Sequence, residues 1–349
     1  MLFNTFQPGK FAFASEDIDL DDLRAQIQND ESNSPIDFLK SKKWWIIGVP
    51  FDSTCSYHNG SRYGPTVIRE ASFGFENFNS RFGRSLDGEF FDCGDLNIVH
   101  GNCERTCGFV EDAAGELIDA NIKPILIGGE HSISIGSIKA LANREPEGDL
   151  SDITIIHLDA HRDIIDEYIG EKNSHATIMK RVHDLNPKEL IQIGIRSFSL
   201  EEAVFVENNE NITSFETKHL FNGDGFGYLM QKLATLKGKV YISIDMDVMD
   251  PSVAPSVGNP TPGGLLVGDI EKIFAILYEN PQVDIIGFDL VEVATDKLGD
   301  ITAVLAAKII YDFLTLFAWF FNNPLSFFEW DFMFFNNPMS FLVRRLLYF

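Results

Sequence analysis

The sequence predicts one doubly wound α/β domain, and three observations carry the prediction. Short apolar runs recur from Trp44 onward, they end in Gly, Pro, Asp or His, and longer helical stretches separate them. Near-continuous apolar runs suit a parallel sheet covered on both faces. Strands alternating with helices imply right-handed crossovers between neighbouring strands. In such sheets ligands bind beyond the carboxyl ends of the strands.

In chain order, the stretch from residue 15 to 37 is acidic and polar, closed by Pro35, and reads as a solvated helix or exposed arm within an N-terminal extension, residues 1–43. Trp45–Val49 is the first buried strand. Gly60-Ser61-Arg62-Tyr63-Gly64-Pro65 reads as a tight turn entering a helix. Pro124–Ile127 is the second strand, followed by the helix Ser134–Arg144. Ile153–Ile156 precedes the helix His175–Asp184, and Leu190–Ile193 precedes Ser199–Glu207. The helix Phe226–Leu236 leads into the strand Val240–Ile244. Asp269–Tyr278 leads into Val283–Phe288, and a helix from about Thr302 to Phe317 completes the cover of a domain spanning 44–317. Residues 318–349 break the pattern. Phe320-Phe321-Asn322-Asn323-Pro324 recurs as Phe334-Phe335-Asn336-Asn337-Pro338, and the prolines and charges leave the segment short of the roughly 20 apolar residues of a membrane span. It reads as a docking surface or as a coding artefact beyond the true domain end.

With 45% hydrophobic and 23% charged residues, the 349-residue chain has the balance of a soluble globular protein. Twenty-eight basic against fifty-two acidic residues leave a net charge of −24. That argues against a nucleic-acid or anionic-membrane partner, which would need a basic surface. It admits a cationic small substrate, though solubility alone explains such a charge. Four cysteines in a chain this long are no disulfide framework and read as buried free thiols. The N-terminus shows no secretory signal, so a reducing, cytoplasmic location is the expectation.

Three clusters carry the chemistry, each immediately after an expected strand. Gly128-Gly129-Glu130-His131-Ser132 uses two glycines to turn sharply and present His131. Asp159-Ala160-His161-Arg162-Asp163 places Asp159, His161 and Asp163 at alternate positions, which face one way in an extended segment. Asp245-Met246-Asp247 does the same after Val240–Ile244. Taken singly, each is an ordinary loop feature; three together are not. Two imidazoles and four carboxylates form an oxygen-rich set that suits Mn²⁺ better than a thiolate zinc site. Four gathered carboxylates repel unless a cation neutralises them, and bridging carboxylates let six side chains hold two metals sharing one water.

These motifs resemble the metal motifs of the ureohydrolases, the arginase and agmatinase family. The run Ser243-Ile244-Asp245-Met246-Asp247-Val248-Met249-Asp250-Pro251, continuing through Ala254-Pro255, Gly258, Pro260 and Gly263-Gly264-Leu265, extends the likeness, which covers about Trp44 to Phe317. The resemblance implies a three-layer α/β/α arrangement, a homo-oligomer (trimer or hexamer) and two Mn²⁺ ions per chain. It assigns His131, Asp159, Asp163 and Asp245 to one ion and His161, Asp159, Asp245 and Asp247 to the other. It makes Asp163 a proton acceptor beside the nucleophile and His175 a proton shuttle. It makes Glu292, after the last strand, the carboxylate that grips a guanidinium through two parallel N–H bonds. Deacetylases of the same fold use one zinc and lack the second ion's carboxylates, so the six-ligand set counts against them.

The loop from Asp166-Glu167-Tyr168 to Ser174-His175-Ala176-Thr177, with Pro50-Phe51-Asp52, Ser56-Tyr57 and Gly60-Ser61-Arg62-Tyr63-Gly64-Pro65, looks like agmatinases rather than arginases, and the resemblance implies that Gly60–Pro65 helps shape the pocket. Asp166, Glu167 and Glu171 suit the cationic tail of agmatine, or of a longer relative such as aminopropylagmatine. The alternatives are arginine, guanidinobutyrate or formiminoglutamate, whose carboxylates need a receptor that Arg162 or Lys172 could supply, and a non-catalytic metal-binding relative.

Overall fold

A computed structural model describes residues 5–6, 9–15 and 42–318. Apart from Ser15 and Ala318, the acidic stretch to residue 37 and the tail over 318–349 lie outside the described residues. Eleven strands are described: β1 (Thr5–Phe6), β2 (Trp44–Val49), β3 (Phe78–Asn79), β4 (Arg84–Ser85), β5 (Phe90–Leu96), β6 (Lys123–Gly128), β7 (Ile153–Leu158), β8 (Glu189–Ile195), β9 (Ile212–Glu216), β10 (Gly238–Asp245) and β11 (Val283–Val291). Nine of them form one sheet in the order β1-β5-β2-β6-β11-β10-β7-β8-β9, and β3 and β4 form a separate ribbon. Every pairing in the main sheet is parallel except that of β1 with β5.

The layers follow from the alternation of side chains along each strand. In β2, Trp44 and Ile46 enter one core, while Trp45, Ile47 and Val49 enter the other. The first core is covered by the helices Gly64–Ser72, Gly225–Ala234, Val267–Glu279 and Ile301–Phe317. The second is covered by Cys103–Asp119, Ser134–Ala142 and Ile178–Asp184. This is the expected three-layer α/β/α fold.

All six expected strands are present, and the sheet is wider than expected. β5 reads as no strand because Asp92, Gly94 and Asp95 interrupt its apolar character. Those acids are buried against Arg69 of the helix Gly64–Ser72, which binds Asp92 through Nε and Nη2 at 2.8 and 2.9 Å and Asp95 through Nη1. β9 is a half-buried edge strand, so its sequence lacks the buried-strand signature.

The topology places the chemistry. The segments after β6, β7, β10 and β11 are far apart in sequence, yet the strands lie side by side in the order β6-β11-β10-β7. Their carboxyl ends therefore deliver four loops to one place.

Candidate metal centre

His131 opens a turn of 3₁₀ helix just beyond β6 and is fully buried. Its Nε2 lies 2.9 Å from Ser243 Oγ, whose hydroxyl donates to Asp289 Oδ1 at 2.7 Å. Since that hydroxyl proton is committed to Asp289, Nε2–H of His131 is the donor and Nδ1 is the nitrogen left to face carboxylates; burial alone would lower this ring's pKa, but Asp159, Asp163 and Asp245 hold it well above the ordinary histidine value. Nδ1 has no hydrogen-bond partner among the described residues. It faces Asp159 Oδ2 at 3.2 Å, Asp163 Oδ2 at 3.3 Å and Asp245 Oδ2 at 3.4 Å. An imidazole nitrogen without a hydrogen-bond partner, turned to three carboxylates, has the donor set of a cation site.

A second grouping adjoins the first. His161 Nδ1 lies 3.0 Å from Asp247 Oδ2 and 3.5 Å from Asp159 Oδ1. Asp159, His161 and Asp247 bring ligand atoms within 4.8 Å of one another, as do His131, His157, Asp159 and Asp163. Asp159 belongs to both. Asp245 touches the first through His131 and the second through Asp247, whose N–H it accepts at 2.8 Å.

His157 is the member that sequence reasoning missed. It sits inside the apolar run of β7, where a histidine reads as strand filling; the available signal was its spacing, two residues before Asp159 and hence on the same face. Both of its ring nitrogens are engaged, Nδ1 by Gln192 Nε2 at 3.2 Å and Nε2 by Asp159 Oδ2 at 2.8 Å. It therefore supports Asp159 rather than offering a free ligand atom.

The electrostatics ask for positive charge. Burial, with the charge of Asp159 added, pushes Asp163 up to about 7. Burial and neighbouring carboxylates also raise Asp245 and Asp247. Burial alone would lower His161, but Asp247 and Asp159 outweigh it and lift the ring to about 12. Such a set holds protons where a divalent cation would relieve the same repulsion.

Around the rim, burial and then the carboxylate of Glu130 raise Glu292 to about 8. Glu292 accepts the His131 N–H at 2.8 Å through Oε1 and the Ser61 hydroxyl at 2.8 Å through Oε2. The Gly60–Pro65 segment thus makes the expected turn into a helix and also supplies Ser61 to the site. Asp163 and Glu292 both sit at left-handed φ, 51° and 69°, a conformation that strains a residue with a Cβ by about 1–2 kcal/mol and recurs at functional sites. His175 is held by the loop after β2: Thr54 Oγ1 lies 3.2 Å from its Nδ1, and Ser56 Oγ lies 3.2 Å from Nε2. Thr54 is anchored in turn on buried Glu130, at 2.6 Å to Oε1. Burial, then the charges of His131 and His161, lower His175 to about 4, so it is neutral in this setting.

Two expected contributors are committed elsewhere. Arg162 points into the sheet edge, bonding Glu216 at 3.0 Å and lying over the Phe198 ring at 4.1 Å. Asp166 is paired with Arg181.

The arginase family model matches residues 42–315. An agmatinase of Bacillus cereus is 36% identical over 296 residues, covering 82% of this chain and 97% of its own. An N(1)-aminopropylagmatine ureohydrolase of Thermococcus kodakarensis is 36% identical over 269 residues, covering 76% and 88%. The crystal structure of agmatine ureohydrolase of Thermoplasma volcanium superposes with a TM-score of 0.70 at 29% identity, covering 83% of this chain and 96% of that one. With a His/Asp cluster gathered from the ends of three strands of the sheet, and likeness along nearly the whole of such hydrolases, this chain belongs to the arginase family of ureohydrolases, on its agmatinase side.

Proposed function

We propose that this chain is a binuclear manganese amidinohydrolase that releases urea from the guanidino group of agmatine or a close derivative. The observation that carries the reading is the unpartnered Nδ1 of His131 facing Asp159, Asp163 and Asp245, with buried Glu292 accepting the N–H of that same residue. His131, Asp159, Asp163 and Asp245 would hold one ion; His161, Asp247 and the shared Asp159 and Asp245 would hold the other. Such a pair supplies Lewis acidity that turns water into a nucleophile near neutral pH.

The rest falls to the chain. Glu292 presents two carboxylate oxygens to the planar guanidinium and fixes its orientation. Asp163 takes the proton from the attacking water, a task suited to a carboxylate held beside the nucleophile. His175, neutral and held by Thr54 and Ser56, carries a proton between the site and the departing amine. A substrate bearing a carboxylate would need a cationic receptor, and the ties of Arg162 to Glu216 and Phe198 remove one of the two candidates. The same reading includes a cytoplasmic homo-oligomer, trimer or hexamer.

The test is steady-state urea release from a panel of guanidino compounds after stripping metal and reloading with Mn²⁺. Agmatine or aminopropylagmatine should exceed arginine in kcat/KM. Two manganese ions per chain should bind, and His131→Ala and Asp247→Ala should each lower that content together with activity. A preference for arginine reverses the substrate assignment, and a single tightly held zinc overturns the metal assignment.

A further inference from the structure

We propose that Arg196 is a positioning residue that locks Asp247 and the loop from Val257 to Thr261 into one unit beside the metal centre. The inference rests on the two-ion reading above and adds to it a residue that is itself no ligand. Arg196 stands one position beyond β8, a strand that contributes none of the candidate ligands. Gly194, at φ 96°, lets this strand end press against its neighbours: a Cβ there would fall 2.5 Å from Val248 Cγ2 and 3.1 Å from the Asp159 carbonyl. The Arg196 N–H then donates at 2.8 Å to the carbonyl of Ala160, which lies between Asp159 and His161.

The guanidinium extends these ties. Nη2 donates at 2.6 Å to the Asp247 carbonyl and at 2.6 Å to that of Thr261, which Nε also reaches at 2.9 Å. Nη1 donates to the Gly194 carbonyl at 3.0 Å and to that of Val248 at 3.3 Å. The five N–H donors of the planar fork thus meet main-chain oxygens of three segments far apart in sequence. Because these bonds go to carbonyls, the Asp247 carboxylate is left to the Ala160 N–H at 3.0 Å and His161 Nδ1 at 3.0 Å. The charge of Arg196 still acts on Asp247, Asp159, Asp250 and Asp245, and offsets part of their mutual repulsion.

Thr261 matters because its loop packs on the residues assigned to the substrate side. Val257 bridges to Val293, the neighbour of Glu292. Gly258 lies so near Glu292 that a Cβ there would fall 2.8 Å from Oε2. Asn259 Nδ2 donates to Ser56 Oγ at 3.3 Å, and that oxygen lies 3.2 Å from His175 Nε2. One guanidinium therefore stands between the backbone of Asp247 and the surroundings of Glu292 and His175. A lysine cannot replace the fork, since its three donors radiate from one point.

The experiment titrates the metal-stripped full chain with Mn²⁺ as wild type, Arg196→Lys and Asp247→Ala. Asp247→Ala removes a ligand and so marks which binding step belongs to the ion beside His161. Arg196→Lys should weaken that same step about 10–100-fold and leave the other within about twofold, as expected for losing a partner that orients one ligand. Hydrogen exchange on the wild type gives a second measurement that needs no variant. Loading with Mn²⁺ should slow backbone exchange over 194–197 and 257–263, which hold no ligand, as well as around the ligands. Equal weakening of both steps, or of neither, overturns the positioning role, and so does protection confined to the ligand segments. If Arg196→Lys does not fold, the exchange result decides. A wild type that binds fewer than two ions overturns the metal reading, and the role of Arg196 falls with it. A two-ion wild type matched by Arg196→Lys overturns the role of Arg196 alone.

Discussion

A single imidazole shows how side chains outside the direct ligand set prepare the centre. Ser243 Oγ accepts a hydrogen bond from Nε2–H of His131 and donates one to Asp289, and Tyr241 donates to the other oxygen of Asp289 at 2.7 Å. Removing the hydroxyl in Ser243→Ala leaves the ring free to change tautomer or rotate. Apparent affinity for Mn²⁺ should fall about 10–100-fold, read by titrating the metal-stripped protein. Unchanged affinity means that the hydroxyl does not set the ring. Glu292 makes a different test, since the role proposed for it is to orient the guanidinium without being a metal ligand. Glu292→Gln keeps an acceptor for the His131 N–H but removes the charge, and should lower transition-state stabilisation by about 2–4 kcal/mol with metal content full. An active variant, or one that sheds manganese, refutes that role. At this scale the sequence was legible where a residue stood out from its surroundings. His131, Asp159, His161, Asp163, Asp245 and Asp247 follow strands and read at once. His157 and Thr54 do not, because their value lies in contacts across the fold: Thr54 reaches Glu130 over 76 positions.

Among the elements, the strands that are apolar throughout were readable, and β5 was not, because its sense depends on a partner in another segment. Arg69 is 2% exposed in the helix Gly64–Ser72, and it makes the acids of β5 tolerable. Its third tie, to the Gly94 carbonyl at 3.0 Å, fastens the helix to the strand backbone, while Phe11 N–H shares Asp92 at 2.7 Å and brings in the N-terminal segment. Arg69→Met keeps the volume and strands two buried carboxylates, so unfolding free energy should drop by about 3–5 kcal/mol at pH 7. The pH dependence gives a second check. Burial raises Asp95 in the folded protein even with Arg69 present, and losing the guanidinium raises it further. A folded state that holds protons more tightly than the unfolded chain loses stability as pH rises through that window. The deficit of Arg69→Met should therefore be largest at neutral pH and shrink toward pH 4. A loss below about 1 kcal/mol, or one that grows in acid, would refute this account.

For the molecule as a whole, the question is where the working unit stops. The strand–helix alternation sets the expectation of a domain from about residue 44 to 317, because each run has a face to bury. The helix Ile301–Phe317 is the last cover of the first core. Phe313 stacks on Phe288 at 4.3 Å and meets Trp44 edge-on at 5.0 Å, so the final helix is packed against both the first long strand and the last. Trp44 Nε1–H donates to the Phe317 carbonyl at 2.9 Å, satisfying one of the acceptors a helix end leaves over. Ala318 is 3% exposed and its N–H returns to the Leu314 carbonyl at 2.9 Å, which moves the natural cut one residue beyond Phe317. The candidate ligands, Glu292 and His175 all precede this helix, and the family match ends at residue 315. A protein ending at Ala318 should keep the thermal midpoint, the manganese content and the kcat of the full chain. Truncation at Phe313 instead would strip the carbonyl contact and the last turn from the core and should lower the midpoint, which distinguishes a boundary from a gradual loss. If the protein ending at Ala318 is folded and loaded with metal but inactive, residues beyond 318 contribute to the site or to an assembly that the site requires.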